Sequence, residues 1–268
     1  MPVPRSLRTR PGVAALATAA ELGAPGRPLL LVAHGSRDPR SARTVRTLAD
    51  RVAARWPGPV GPAFLDFDAP SVAESLRKHR HSSPVVVPLL LTSAYHHRVD
   101  LPAVLHDTGV AAEVAEVLGP ATPEEAADLR LLGALSRRLS ELDLQPGFDG
   151  IVLIAAGTSD ASARSTVDRV AQQLSTVHHV PCAVGYASAS GPTPQEAVAG
   201  LRSAGATRVA GAAYFLAAGR LYDAAAASAL TGGSVGVAAP LGAATELVEL
   251  ILDRARTASR VRPITAAA

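Results

Sequence analysis

Two similar segments of the chain decide its fold: LLLVAHGS at residues 29–36 and IVLIAAGT at residues 151–158. In each, a continuous apolar run ends in a short polar turn, which is typical of a strand that is buried on both faces of a parallel sheet. Apolar runs alternate with helical patterns after both segments, as in chains built from βαβ units. We therefore predict an α/β fold with two similar lobes, each a parallel sheet flanked by helices.

The two halves of the chain correspond at a nearly constant offset. Asp38 pairs with Asp160 at an offset of 122 residues, and Asp100 pairs with Asp223 at an offset of 123. Such regularity indicates duplication of a domain of about 120 residues. The predicted organisation is an N-terminal segment without fixed structure, a first lobe and a second lobe, at residues 1–27, 28–147 and 148–268.

The strands and helices of each lobe follow from the same patterns. Strands are predicted at residues 28–34, 61–67, 84–92 and 111–118 of the first lobe. In the second lobe the segment 151–158 mirrors the first strand and its turn, and further strands are predicted at 180–188, 208–216 and 234–239. Helices are predicted at residues 41–56, 70–80, 100–107 and 123–142, and then at 162–177, 194–204, 219–230 and 243–258.

Composition excludes several classes of protein. The 268 residues carry a net charge of +3 with only 3% aromatic residues, and they contain no block of Lys or Arg, so nothing favours nucleic-acid binding. A single cysteine, Cys182, excludes an internal disulfide framework and a cysteine-based zinc or iron–sulfur site. No apolar run reaches the length of a membrane span. Residues 11–20 resemble a signal peptide only faintly, so we expect a cytoplasmic protein with no membrane partner.

Two histidines occupy matching positions in the first lobe. His34 comes just after its first strand, and His96 follows the apolar run at residues 85–91 by a short turn. The carboxyl ends of parallel strands meet at the edge of the sheet where ligands bind. Two imidazoles at that edge predict a metal site with open coordination positions. His97 is adjacent to His96, and the local backbone decides which of the two faces the site.

The strand between them supplies a third candidate ligand. Asp66 lies near the end of the run at residues 61–67, and near the middle of the interval between His34 and His96. Two imidazoles and one carboxylate suit a divalent first-row metal that must exchange. We expect the nearby Asp68 to cap the next helix, with Pro70 at its first position.

The second half keeps the fold pattern but not the histidines. Ala156 stands where the first half has His34, and the segment AGRLYD at residues 218–223 stands where the first half has YHHRVD at residues 95–100. This contrast indicates that the histidines serve a ligand rather than packing. The remaining histidines are expected to be solvated, at positions 79, 81, 106, 178 and 179.

These residues resemble the sirohydrochlorin chelatase family in its two-half long form, over residues 28 to 260. The resemblance is carried by LLVAHGSR at residues 30–37, AFLD at 63–66 before Pro70-Ser71, and VPLLL at 87–91 leading to Tyr95-His96 and Asp100-Leu101-Pro102. The family inserts Co²⁺ or Fe²⁺, sometimes Ni²⁺, into sirohydrochlorin in siroheme or cobalamin biosynthesis without ATP. The resemblance therefore implies a tetrapyrrole substrate, a metal ion that is itself a substrate, and no lasting cofactor.

The resemblance also assigns roles to individual residues. His34 and His96 match the two metal-binding histidines and would hold the ion, or one would accept a pyrrole proton. Asp66 stands where the family commonly has Glu, so it would bind the metal directly or through a water. Substrate-binding roles fall to the residues near the same edge, namely Ser36, Arg37, Arg40, Tyr95 and Arg98.

Several alternatives stay open at this point. The three arginines could belong to a solvated face. The protein could be a metal or tetrapyrrole carrier without turnover, or a structural or regulatory relative whose histidines are core residues. The sequence does not distinguish cobalt from iron, or a monomer from a homodimer.

Overall fold

A computed structural model describes residues 26–92, 100–188 and 191–260. In the first half the elements are β1 (Leu29–Ala33), α1 (Pro39–Ala53), β2 (Val60–Phe64), α2 (Val72–Lys78), β3 (Val85–Pro88), α3 (Leu101–Thr108), β4 (Glu113–Val114) and α4 (Leu129–Ser140). In the second half they are β5 (Gly150–Ala155), α5 (Ala161–His178), β6 (Cys182–Tyr186), α6 (Pro194–Ser203), β7 (Val209–Tyr214), α7 (Arg220–Thr231), β8 (Gly236–Val237) and α8 (Thr245–Arg260).

The predicted fold class is confirmed. Two four-stranded sheets have the orders β2-β1-β3-β4 and β6-β5-β7-β8, and every strand pair in them is parallel. The two quoted apolar segments form the inner strands β1 and β5, all of whose residues are buried. Continuous apolar sequence is needed there because helices cover both faces of each sheet.

The last helix of each half packs against the other half. Helix α4 packs on strand β7 and helix α5 of the second half, whereas helix α8 packs on strands β3 and β4 and helix α1 of the first half. The two helices also pack on each other, and Arg137 of α4 donates to Glu246 of α8 at 2.9 Å. The boundary between residues 147 and 148 therefore separates the two sheets in the chain, but each sheet is covered by a helix from the other half.

The fourth helix is shorter than its sequence pattern predicts. It begins at Leu129 instead of residue 123, because the Asp128 side chain caps it by accepting from the Arg130 N–H. Upstream, the Glu125 carboxylate accepts from the Ala121 N–H and so forms a separate turn. None of the helices in the described ranges is long and apolar enough to cross a membrane.

Candidate functional site

The carboxyl ends of the two sheets face each other across a cleft of about 720 Å³. His34 and residues 89–92 line it from the first half. The second half contributes residues 155–160, residues 214–216 and a few further side chains. Most of the lining is apolar, and His34 is the one titratable side chain that the first half contributes among the described lining residues.

His34 is held where β1 ends and the chain turns toward α1. Its carbonyl oxygen accepts from the Asp66 N–H at 2.8 Å, and the carbonyl of Ala33 accepts from the Leu65 N–H at 3.0 Å. These bonds extend the β1–β2 pairing past the strands themselves. The half-buried His34 is therefore fixed at its backbone where it lines the cleft.

Gly35 allows the turn after β2 to pack directly against the backbone of the turn after β1. Its φ is +92°, and a Cβ atom there would come within 1.8 Å of the Asp66 carbonyl oxygen. Gly157 has φ +95°, and its Cβ would come within 2.0 Å of the Ser188 oxygen. The two halves thus build the same turn, but the first half alone puts a histidine before it.

The two carboxylates after β2 make different contacts. Asp66 is exposed, and its Oδ1 accepts from the Phe67 N–H at 2.9 Å. Asp68 does not cap α2; its Oδ2 accepts from the Ser36 N–H at 3.0 Å. The expectation for Asp68 was wrong because α2 begins at Val72, after a capping box that Ser71 forms with Glu74.

Ser36 and Asp38 organise the entry into α1. The Ser36 hydroxyl accepts from the Asp38 N–H at 3.1 Å, and Asp38 is the N-cap of α1, accepting from the Arg40 N–H. The Arg40 side chain also donates to Asp38, and these bonds lower the pKa of Asp38 to about 2.

Arg40 spans the two halves of the molecule. Its guanidinium lies 2.6 Å from Asp38 and 2.5 Å from Asp223 in the first turn of α7. The hydrogen bonds that the Arg40 guanidinium donates to both carboxylates raise the pKa of Arg40 above its ordinary value. Two carboxylates, one from each half, therefore already pair with this cation. The sequence analysis assigned Arg40 to substrate binding and did not predict this bridge between the halves.

Arg37 is exposed, and its guanidinium lies over the Phe67 ring, 5.1 Å from the ring centroid.

Four residues named from the sequence lie outside the described residues, namely Tyr95, His96, His97 and Arg98. The chain on either side of them is described: Thr92 lines the cleft, and Asp100 occupies the N-cap position of α3 without a side-chain capping bond. Within the described ranges, no group of three or more His, Cys, Asp or Glu side chains could hold a metal ion.

Tyr214 is a cleft residue that the sequence analysis did not single out. Its hydroxyl donates to the Leu91 carbonyl at 2.7 Å and so joins the end of β7 to the chain after β3. Gly119 permits this contact, since a Cβ there would lie 1.8 Å from the Leu91 oxygen and 2.6 Å from the Tyr214 hydroxyl. Burial raises the pKa of Tyr214. An aromatic residue in a chain with only 3% aromatics was the available signal.

Two of the histidines expected in solvent, His79 and His178, are partly buried. His178 closes α5, its Nε2 lies 2.9 Å from the Ser136 hydroxyl of α4, and its ring packs on Phe148. Burial lowers the pKa of His178. The expectation for His178 failed because α4 packs on α5, a contact that the sequence of α5 alone does not reveal.

Comparison with known structures places this fold among chelatases. Sirohydrochlorin chelatase SirB from Bacillus subtilis subspecies spizizenii, solved with cobalt, is 19% identical with a TM-score of 0.70, over 87% of this chain and 96% of that one. SirB from Bacillus subtilis with Fe³⁺ is 21% identical with a TM-score of 0.73, over 88% and 96%. A CbiX described as the terminal enzyme of siroheme biosynthesis in denitrifying bacteria is 20% identical with a TM-score of 0.65, over 87% and 99%.

Sequence comparison gives the family itself. No curated protein matches the sequence. The CbiX family profile, however, matches residues 28–141 and again residues 150–258, which together span both halves of the duplicated fold. The chain belongs to the CbiX family.

Proposed function

We propose that this protein is a sirohydrochlorin chelatase that inserts Co²⁺ or Fe²⁺ into its tetrapyrrole substrate without ATP. The observation that carries the proposal is the position of His34, an imidazole at the carboxyl end of an inner strand, facing a cleft between two lobes. The equivalent residue of the second half is Ala156, so the histidine is not required by the turn. The family membership and the named metals of the two SirB structures support the same activity.

The cleft suits a substrate of this kind in size and lining. A volume of about 720 Å³ lies within the range of about 300–1,000 Å³ that is usual for small-molecule sites. Its largely apolar walls match the face of a macrocycle, whose peripheral carboxylates would remain at the rim. A site between two lobes also limits water around the ring nitrogens while the metal enters.

In this proposal the protein holds the metal and receives protons. A neutral imidazole is a good ligand for cobalt and iron, and an ordinary pKa of about 6.5 also lets it take a proton near neutral pH. His34 and His96 would share these tasks, one binding the incoming ion and one accepting a pyrrole proton. The metal is a substrate that leaves with the product, so no resident cofactor is needed.

The remaining roles rest on charge and position. Asp66 would attract the cation to the His34 edge, either as a ligand or through a water. Ser36, Arg37, Tyr95 and Arg98 would contact substrate carboxylates, with arginine suited to paired hydrogen bonds. Arg40 is the weakest of the proposed contacts, because Asp38 and Asp223 already hold its guanidinium.

A carrier that binds metal or tetrapyrrole without turnover is the alternative, and the shorter carboxylate at Asp66 favours it. An anaerobic absorbance assay with sirohydrochlorin and Co²⁺ or Fe²⁺ separates the two. We expect multiple turnover by the wild type and loss of turnover in His34→Ala and His96→Ala. His81→Ala, at an exposed histidine beyond α2, is the matched control and should keep full activity.

Each outcome has a definite meaning. Wild-type turnover that both cleft variants lose while they remain folded supports the chelatase. Tight binding of sirohydrochlorin or metal with no rate above the spontaneous reaction means a carrier. Unchanged activity in His34→Ala refutes the role given to His34. Cytoplasmic location and the state of oligomerisation remain predictions that this assay does not address.

A further inference from the structure

Phe67 is held in an unusual conformation beside His34. The Asp68 N–H donates to the Asp66 carbonyl at 2.7 Å, which closes a three-residue turn around Phe67, whose φ is +62°. A three-residue turn with positive φ at its centre is rare and strained. Residues with a Cβ avoid this region, and a bulky side chain there is an outlier that needs a cause.

Packing does not explain this choice of residue. Phe67 is 52% exposed and is the one aromatic among the exposed large apolar residues in the described ranges, so it contributes little to the core. Glycine or asparagine would fit the same turn with less strain. A strained and exposed aromatic side chain is therefore costly to the fold without a packing benefit that compensates for it.

The ring touches two residues of the candidate site. Its centroid lies 6.1 Å from that of the His34 imidazole at an interplanar angle of 70°, and the Arg37 guanidinium lies 5.1 Å above it. The turn is fixed from both sides, because the Asp66 N–H donates to the His34 carbonyl and the Asp68 carboxylate accepts from Ser36. An imidazole, an aromatic ring and a guanidinium thus form one continuous surface.

The duplication provides an internal control for this surface. At the constant offset of 122, the residues equivalent to His34, Arg37 and Phe67 are Ala156, Ser159 and Ala189. All three side chains are lost together from the half that lacks the histidine. The backbone turn does not require them, since Gly35 and Gly157 have nearly the same φ and the same close contact with the following turn.

We propose that Phe67 is a substrate-positioning residue, on whose exposed ring the tetrapyrrole macrocycle stacks, while Arg37 binds one of its carboxylates. This inference rests on the proposed function and extends it to residues outside the histidine pair. A flat conjugated ring with acidic substituents complements an exposed aromatic ring that carries a cation above it. Stacking beside His34 would bring the ring nitrogens toward the imidazole, and the turn keeps Phe67 in place before the substrate arrives.

The test compares Phe67→Gly and Phe67→Tyr with the wild type. Leu230→Ala is the matched control, because Leu230 is also 52% exposed but lies on α7 of the second half. Three quantities are measured: the thermal midpoint, the Kd of metal-free sirohydrochlorin from an absorbance titration, and kcat and KM of metal insertion.

For Phe67→Gly we expect a midpoint equal to or above that of the wild type, since the strain is relieved, together with a Kd and a KM that rise about tenfold. Phe67→Tyr keeps the aromatic face and should stay within about twofold of the wild type. Leu230→Ala should change neither Kd nor KM.

Other results would overturn the inference. A wild-type Kd in Phe67→Gly, or an equal loss in Phe67→Tyr, means that the ring does not stack on the substrate. A fall in kcat alone at unchanged Kd means that Phe67 acts only by orienting His34. These results are distinct from failure of the proposed function, in which the wild type itself neither binds nor metallates sirohydrochlorin.

Discussion

The Asp66 carbonyl lies against the α-carbon of Gly35, so that a Cβ atom at this position would come within 1.8 Å of the oxygen. This contact joins the turn after β2 to the turn after β1, and it sets the position of His34 relative to Phe67. The corresponding contact of Gly157 with Ser188, at 2.0 Å, makes the geometry a property of the duplicated fold. The two halves therefore share this backbone geometry and differ in the side chains placed on it.

Gly35→Ala should therefore destabilise the protein and inactivate it. The φ of +92° disfavours alanine, and the Cβ cannot avoid a backbone oxygen by a rotamer change, so we expect a loss of at least about 2 kcal/mol in the free energy of unfolding. Gly61→Ala is the matched control in β2, where a Cβ meets nothing within 4 Å. Urea denaturation of the two variants checks the prediction, and a Gly35→Ala protein as stable as Gly61→Ala would refute it.

The position of His34 at the carboxyl edge of the sheet could be predicted because both signals that place it are local. An apolar run of strand length and a following glycine mark the carboxyl edge of a parallel sheet without any knowledge of distant contacts. Phe67 could not be found in this way. Its turn depends on Gly35, 32 residues earlier, and a phenylalanine next to an apolar strand is ordinarily a core residue.

Long-range partners account for the other differences. The amphipathic patterns of α4 and α8 predict that each helix covers a sheet, but not which one, so the exchange of helices between the halves was not foreseen. The ion pair of Arg40 with Asp223 could not be predicted either, because the sequence of α1 does not indicate that a carboxylate of α7 lies opposite. Patterns within one segment determine local structure, whereas the choice of partner depends on the assembled fold.

Tyr214→Phe tests the contact that links the two walls of the cleft. Removing the hydroxyl leaves the Leu91 carbonyl without this donor, which should cost about 1 kcal/mol of stability and raise the KM for the tetrapyrrole. Tyr222→Phe is the control, because its hydroxyl donates to the Ala238 carbonyl within the second half, at 3.1 Å. Steady-state assays of both variants check the prediction. If KM rises equally in the two, the link between the walls has no special role in substrate binding.

Leu135→Ala tests whether the exchanged helices make the two halves unfold together. Leu135 is fully buried on α4, so its truncation should cost about 2–5 kcal/mol. The fluorescence of the single tryptophan, Trp56, reports on the first half, whereas far-UV ellipticity reports on both halves. In Leu135→Ala we expect tryptophan fluorescence and far-UV ellipticity to give one common urea midpoint, lower than the common midpoint of the wild type. Leu129→Ala, at a residue 79% exposed on the same helix, should leave the midpoint unchanged. Separate midpoints would show that the halves unfold independently.

His178 should make stability depend on pH below neutrality. Burial lowers the pKa of His178 from its ordinary value of 6.5, and the charge of His179 adds to the effect, so the unfolded chain binds this proton more readily than the folded one. Stability is then highest above pH 6.5 and decreases as the pH falls from 6.5 toward the lower folded pKa. In His178→Gln this part of the pH dependence should disappear, while the exposed His106→Gln should retain it. Urea midpoints between pH 5 and pH 8 measure the effect, since the stability difference between wild type and His178→Gln must shrink on acidification. A difference that stays constant over this range would mean that the contacts of His178 with Ser136 and Phe148 survive its protonation.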